Sequence, residues 1–280
     1  MPHGRKARRA EQLSRLSSPL EQAIGERDRN VIKMVEAAVR HGDVLLAFQP
    51  VVQAARPDRI AFHEGLIRVL DDTGRIIPAM EFIEQVEEME VGRMLDCLAI
   101  EKGIKALVEE PSLRLSINMS ARSIGYPRWM AALDRGLRQD DTVAERLILE
   151  VTETSAMNVP ELVVAFMNEV QARGVSFALD DFGAGFTSFR YLKQFSFDLL
   201  KIDGQFIRGV ARDADNQVLT QALIAIARQF DMFTVAECVE RPEDAAWLTA
   251  QGIDCLQGYY YGAPTTMPPW RDVTNEAVSA

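Results

Sequence analysis

The chain is poor in the residues that build redox centres and soft-metal sites. Its 280 residues include three cysteines and three histidines. Cys97, Cys238 and Cys255 are odd in number and unevenly spaced, which fits neither a disulfide framework nor a zinc pattern. His3, His41 and His63 are equally scattered. Reduced thiols point to a cytoplasmic protein. No run of 18 or more apolar residues occurs, so no membrane span is expected. The basic N-terminus lacks the apolar centre of a secretory signal. Positive charge is also in short supply. The formal net charge is −10; residues 1–30 contribute +3 and the other 250 contribute −13. Such an acidic body lacks the basic face of a duplex-DNA binder, and none is expected. It is compatible with a small anionic substrate, because bound cations reverse the local field. There is no Gly-rich phosphate loop near the start and no His-Arg-Asp, so Asp181-Phe182-Gly183 is not read as part of a kinase.

What is present is ordinary globular composition, 48% hydrophobic and 26% charged. Residues 1–18, with Arg5, Lys6, Arg8 and Arg9, show no apolar period and read as a mobile basic tail. Residues 19–41 read as a leading helix with Ile32, Val35 and Val39 as its stripe and His41-Gly42 as its stop. From residue 44 onward, apolar strand-like runs alternate with helical patterns. Strands are expected near 44–52, 59–68, 113–119, 146–152, 175–180, 197–203, 232–237 and 254–257. Helices are expected near 91–108, 127–138, 160–173, 214–229 and 242–251. In the 160–173 helix, Pro160 suits the first turn, Leu162, Val163, Phe166, Met167 and Val170 form one face, and Gly174 ends it. Eight strands with intervening helices suit a TIM-like (β/α)8 barrel, with a doubly wound open sheet as the competitor. One domain, 19–270, is expected, followed by a C-terminal tail at 271–280.

The strand-like runs end in acids. Glu64, Glu150, Asp180-Asp181 and Glu237 each close an apolar run, and Asn118, Lys201 and Gln257 do the same. Two carboxylates about 4 Å apart repel by roughly 4 kcal/mol at an effective dielectric of about 20. A cluster of them needs metal ions, protons or basic partners. Active sites of barrels collect such side chains from many strand ends, which favours the barrel over the open sheet. Taken singly, each signal has a plainer explanation. Asp180-Asp181 could be a turn with solvated acids. Glu64 and Arg68, on one strand face, could form a cross-strand ion pair. Lys201 inside an apolar strand could be an internal salt bridge, since a buried lysine is costly unless paired.

Together, the ordered strings FQPVV, HEGLIR, SINMSARS, LEVTET, LDDFGAGFTSF, LKIDGQFI, VAECVE and LQGYYYGAP resemble the EAL-domain phosphodiesterases over residues 28–266. That resemblance implies a TIM-like barrel with one antiparallel strand. It implies metal-dependent hydrolysis of the bacterial second messenger cyclic di-GMP to linear 5′-pGpG, with two Mg²⁺ or Mn²⁺ ions. By the same resemblance, Glu64, Asn118, Glu150, Asp180, Asp181 and Glu237 are metal ligands. Arg68 meets a substrate phosphate, Lys201 lies by the attacking water with Gln257 near it, and Glu237 is ligand or base. Glu153 and Glu240 are supports, Glu153 for the loop after Asp181. A homodimer formed through the segment after Asp181 is expected, and a regulatory protein partner is an option.

The chain departs from the family pattern at several positions. Gly65 replaces an alanine. Glu84 stands in place of proline. Cys238 replaces a glycine and, by strand alternation, is expected to face away from the metals. Gly262-Ala263 replaces a serine and a basic residue. The alternative class is a non-catalytic cyclic di-GMP receptor acting through a partner. A third reading is a structural domain that binds no nucleotide, which an intact acid cluster disfavours.

Overall fold

The structure is a computed structural model and describes residues 19–184 and 192–270, with side chains from residue 25. Both expected tails lie outside the described residues, as do residues 185–191 of the segment after Asp181 through which pairing was expected. The described chain runs from helix α1 (Pro19–His41) into strands β1 (Val44–Gln53), β2 (Arg56–Leu70) and β3 (Ile76–Pro78). Thereafter β4 (Leu115–Asn118), β5 (Leu147–Thr152), β6 (Ser176–Phe182), β7 (Leu199–Ile202), β8 (Phe233–Ala236) and β9 (Cys255–Gln257) alternate with helices. The longer helices are α2 (Glu90–Glu109), α3 (Pro127–Gln139), α4 (Pro160–Gln171), α5 (Ala214–Gln229) and α6 (Pro242–Gln251).

Strand order closes the sheet. The order β1-β9-β8-β7-β6-β5-β4-β2 returns to β1 through a β1–β2 pairing. β1 is antiparallel to both β2 and β9, and the remaining pairs around the ring are parallel. The result is an eight-stranded TIM-like barrel with one reversed strand. β3, not foreseen in the sequence, is a short antiparallel addition to β2 outside the ring. Covered on both faces, the parallel strands are apolar almost throughout, which is why they read as continuous hydrophobic runs.

The helices obey local rules. α4 and α6 each begin with proline in the first turn, where no N–H is needed. α5 is capped by Asp213, whose carboxylate accepts from the N–H groups of Asp215 and Asn216. One detail of the apolar pattern is corrected. In α4, Val163, Phe166, Met167 and Val170 are buried, but Leu162 is 45% exposed and belongs to the solvent edge. A glycine within a strand would ordinarily loosen it, but Gly65, the departure from alanine noted above, is closely packed. A Cβ at Gly65 would lie 2.6 Å from Ile117 Cδ1 and 3.1 Å from Leu46 Cδ2, so large neighbours already fill the space an alanine would take.

The barrel interior is layered. Val51, Phe62, Ala178, Leu199 and Val235 form a buried apolar cluster, with Ile148 and Cys255 against it. In a strand, residues two apart share a face. Moving two residues up from Phe62, Ile148, Ala178, Leu199, Val235 and Cys255 reaches Glu64, Glu150, Asp180, Lys201, Glu237 and Gln257. The apolar layer is therefore the floor on which a polar layer stands.

Candidate active site

Lys201 is the centre of that polar layer. Its side chain is 1% exposed, and its Nζ lies 2.7 Å from Glu150, 2.8 Å from Glu237, 2.9 Å from Asp180 and 3.4 Å from Glu64. Asn118 Nδ2 donates to Glu64 Oε1 at 2.8 Å, and Gln257 Nε2 donates to Glu64 Oε2 at 2.6 Å. Gln49, assigned no role from sequence, completes the ring, because Gln257 Nε2 also reaches its Oε1 at 3.2 Å. Gln49 faces Glu64 across the β1–β2 pair. It sits mid-strand because β1 runs the opposite way, so no strand-end signal marked it.

Adjacent acids in a strand point to opposite faces. Asp180 and Asp181 break that rule through the backbone. The β6–β7 register shifts between Leu179 and Phe182, and Asp181 adopts a left-handed φ of 55°. As a result, carboxylate oxygens of Asp180, Asp181 and Glu237 all fall within 4.8 Å of one another. Behind this turn, buried Glu153 accepts a 3.0 Å hydrogen bond from Gly183 N.

Charge dominates the site. Five carboxylates surround one ammonium, which leaves a large excess of negative charge if all ionise. Burial, reinforced by Glu64, pushes Glu150 up to about 8. Burial and the neighbouring Asp180 push Asp181 up to about 6. Burial also holds Glu237 well above the carboxylate range against the pull of Lys201. Burial opposes the Lys201 ammonium, yet Asp180, Glu150, Glu237 and Glu64 together hold its pKa well above the usual lysine value. Lys201 is thus a fixed cation and a donor, not a proton acceptor near neutral pH.

The donor set fits hard divalent cations. It is all oxygen, from carboxylates and one amide. Glu150 Oε1 is buried without a hydrogen-bond partner, a costly state that a cation would relieve. Among the described residues, Asp180, Asp181 and Glu237 are grouped closely enough to hold such an ion, and Glu64 and Glu150 adjoin them around Lys201.

Beside the cage opens a cleft of about 290 Å³. Glu64, Glu237 and Gln257 contribute to its wall, as do Arg68, Arg208 and Cys238. Arg68 Nη1 donates to Ile67 O at 2.9 Å. Glu240 sits at the rim, 3.7 Å from Arg208 Nε, and both side chains are half exposed. The expected orientation of Cys238 is corrected here. β8 ends at Ala236, so strand alternation does not reach Cys238. Its φ is 54°, a left-handed conformation that favours glycine, and its side chain lines the cleft.

A closed eight-stranded ring with one reversed strand and an acid cage at the carboxyl ends of its strands defines a TIM-like barrel protein. The chain matches the EAL domain over residues 32–264 and belongs to that family. It is 30% identical over 250 residues to the cyclic di-GMP phosphodiesterase PdeF of Escherichia coli K12, covering 88% of this chain and 33% of that protein. It is 30% identical over 234 residues to the cyclic di-GMP phosphodiesterase PdeB of Shewanella oneidensis, covering 82% of this chain and 27% of that protein. The chain thus spans about a third or less of the length of these two relatives. Among solved structures it is similar to the PaMucR phosphodiesterase in complex with c-di-GMP, with a TM-score of 0.74 and 27% identity over 84% of this chain and 97% of that one. It is also similar to the FimX EAL domain of Pseudomonas aeruginosa bound to c-di-GMP, with a TM-score of 0.76 and 25% identity over 84% of this chain and 96% of that one. Among the described residues no helix is long and apolar enough to cross a membrane.

Proposed function

We propose that the chain is a divalent-metal-dependent phosphodiesterase that opens cyclic di-GMP to linear 5′-pGpG. The observation that carries this reading is the overcharged cage itself, with buried Glu150 Oε1 left unpartnered beside a cleft that holds Arg68. Such a cage destabilises an empty protein and is useful only when cations fill it. Two Mg²⁺ or Mn²⁺ ions would neutralise the excess charge and supply a nucleophile near neutral pH.

The chain's own residues then divide the work. Glu64, Asn118, Glu150, Asp180, Asp181 and Glu237 hold the ions. Arg68 takes a phosphoryl oxygen of the substrate and offsets charge as it grows in the transition state. Lys201, whose three N–H donors are taken by carboxylates in the ion-free cage, would turn one toward the attacking oxygen once ions take up those carboxylates. Gln257 and Gln49 hold Glu64 in place. Glu64 and Glu237 belong to both cage and cleft, which suits Glu237 to accept a proton. In the reaction, water adds across one P–O3′ bond. The new P–O bond forms as the 3′ oxygen leaves and takes up a proton, giving a 5′-phosphate and a free 3′ hydroxyl.

A second reading is a receptor that binds the nucleotide without cleaving it. One observation favours it, the strained Cys238 directly after Glu237. Incubation with cyclic di-GMP and Mg²⁺, followed by chromatography, separates the two. The enzyme gives pGpG that a chelator abolishes; the receptor retains intact cyclic nucleotide under either metal.

A further inference from the structure

The cleft has a second guanidinium, Arg208, and its surroundings form a built support. Arg208 Nη2 lies 3.0 Å from Cys238 Sγ, and Arg208 Nε lies 3.7 Å from Glu240 Oε1. Cys238 holds its sulfur there from a left-handed backbone, φ 54°. That conformation is unfavourable for any residue with a Cβ and persists where the surroundings over-determine it. The room for the thiol comes from Gly204. A Cβ at Gly204 would lie 2.6 Å from Cys238 Sγ and 3.1 Å from Arg208 Nη1. A missing side chain, a strained thiol and a carboxylate thus converge on one arginine, and Arg208 and Cys238 both line the cleft.

Resting on the cyclic dinucleotide reading above, we propose that Arg208, positioned by Cys238 and Glu240, binds the second, non-reacting phosphodiester of the substrate. A cyclic dinucleotide carries two phosphodiester anions. Arg68, on the β2 wall beside Glu64, is placed for the reacting one. The rest of the cleft's charge is acidic, from Glu64, Glu237 and Glu240, so the far anion needs a cation of its own. Arg208 supplies it, and a guanidinium binds a phosphate through two parallel hydrogen bonds. Its side chain is 57% exposed, so solvent screens the contact and the effect is moderate. Because the contact exists equally in ground state and transition state, it acts on affinity rather than on turnover.

The test compares initial rates on cyclic di-GMP and on bis(p-nitrophenyl) phosphate, a diester with one anion. Calorimetric affinity for cyclic di-GMP is measured alongside. Arg208→Ala is expected to raise KM and Kd for cyclic di-GMP about tenfold, with kcat within twofold. Its selectivity for the cyclic dinucleotide over the small diester falls by the same factor. Arg208→Lys recovers part of the loss. Gly204→Ala, which pushes on the thiol, raises KM in the native background and does so less when Cys238→Gly is also present. Wild-type values of KM and Kd for Arg208→Ala would overturn the proposal, as would a loss confined to kcat. If the wild type neither binds nor cleaves cyclic di-GMP, the functional reading falls and the proposal with it. That result differs from an active wild type matched by Arg208→Ala.

Discussion

The two ends of the barrel each bury a cation, and they treat it in opposite ways. At the amino end of β5, Arg146 is 6% exposed and donates to the carbonyl oxygens of Leu107, Glu110, Leu113 and Thr142 and to Thr142 Oγ1. Its partners are neutral, and it ties the end of α2 and the start of β4 to β5. Two acids at that same end are satisfied as well. Asp198 accepts from Phe177 N at 2.7 Å, and Asp254 accepts from Thr234 N and Oγ1 at 2.8 and 2.7 Å. At the carboxyl end, Lys201 faces four carboxylates, and Glu150 keeps a buried oxygen unpartnered. One end is arranged for stability. The other is left short of positive charge, as expected where a barrel does its chemistry.

The contrast can be broken first at the acid end. Glu64→Ala, or chelation of the wild type, should cut pGpG formation by at least a thousandfold, about 4 kcal/mol of barrier. A loss below tenfold in steady-state assays would remove Glu64 from the machinery. Arg146→Ala attacks the other end. It strands several carbonyl acceptors and should cost about 3 kcal/mol in urea unfolding. The surviving folded protein should keep its kcat, and a stable but inactive variant would contradict the division of labour.

A smaller effect links the acid end to pH. Glu150 is pushed up to about 8 and Asp181 to about 6, so the folded metal-free protein holds more protons than the unfolded chain above the ordinary carboxylate range. Stability contributed by these protonated groups is present at low pH and declines as pH rises toward 8. Cations take over the protons' role. The rise in Tm on adding Mn²⁺ should therefore be larger at pH 8 than at pH 6. Equal shifts, measured by calorimetry, would mean that the acids do not gate cation binding. The smallest change is Cys238→Gly. Relief of the left-handed strain should stabilise the fold by about 1 kcal/mol and leave metal dependence intact. A destabilised glycine variant would show that the contact with Arg208 outweighs the strain.

The difference between the ends was half visible in the sequence. Parallel strands covered on both faces give apolar runs, so a polar residue ending such a run stands out, and eight of these were legible from residue types alone. The helices expected at 214–229 and 242–251 appear as α5 and α6, and the structure shows their ends set by Asp213, Pro242 and Gly252. What stayed hidden depended on three-dimensional closure. Gln49 lies mid-strand because β1 is reversed. Arg146 precedes an apolar run and resembles any surface arginine until its carbonyl partners are brought to it. Cys238 was assigned by strand alternation, but β8 stops two residues earlier and the backbone turns left-handed. Arg208 gained meaning only when Cys238, distant in sequence, met it in the space left by Gly204.

The central claim is that the layer above the apolar floor is a cation site. Titration of Mn²⁺ into metal-free protein at pH 7, in two buffers of different ionisation enthalpy, tests it most directly. Binding of two ions per chain is predicted, with protons released because burial, reinforced by Glu64, pushes Glu150 up to about 8. Glu150→Gln should lose at least one of those ions. No binding at millimolar Mn²⁺, or binding indifferent to Glu150→Gln, would contradict the account.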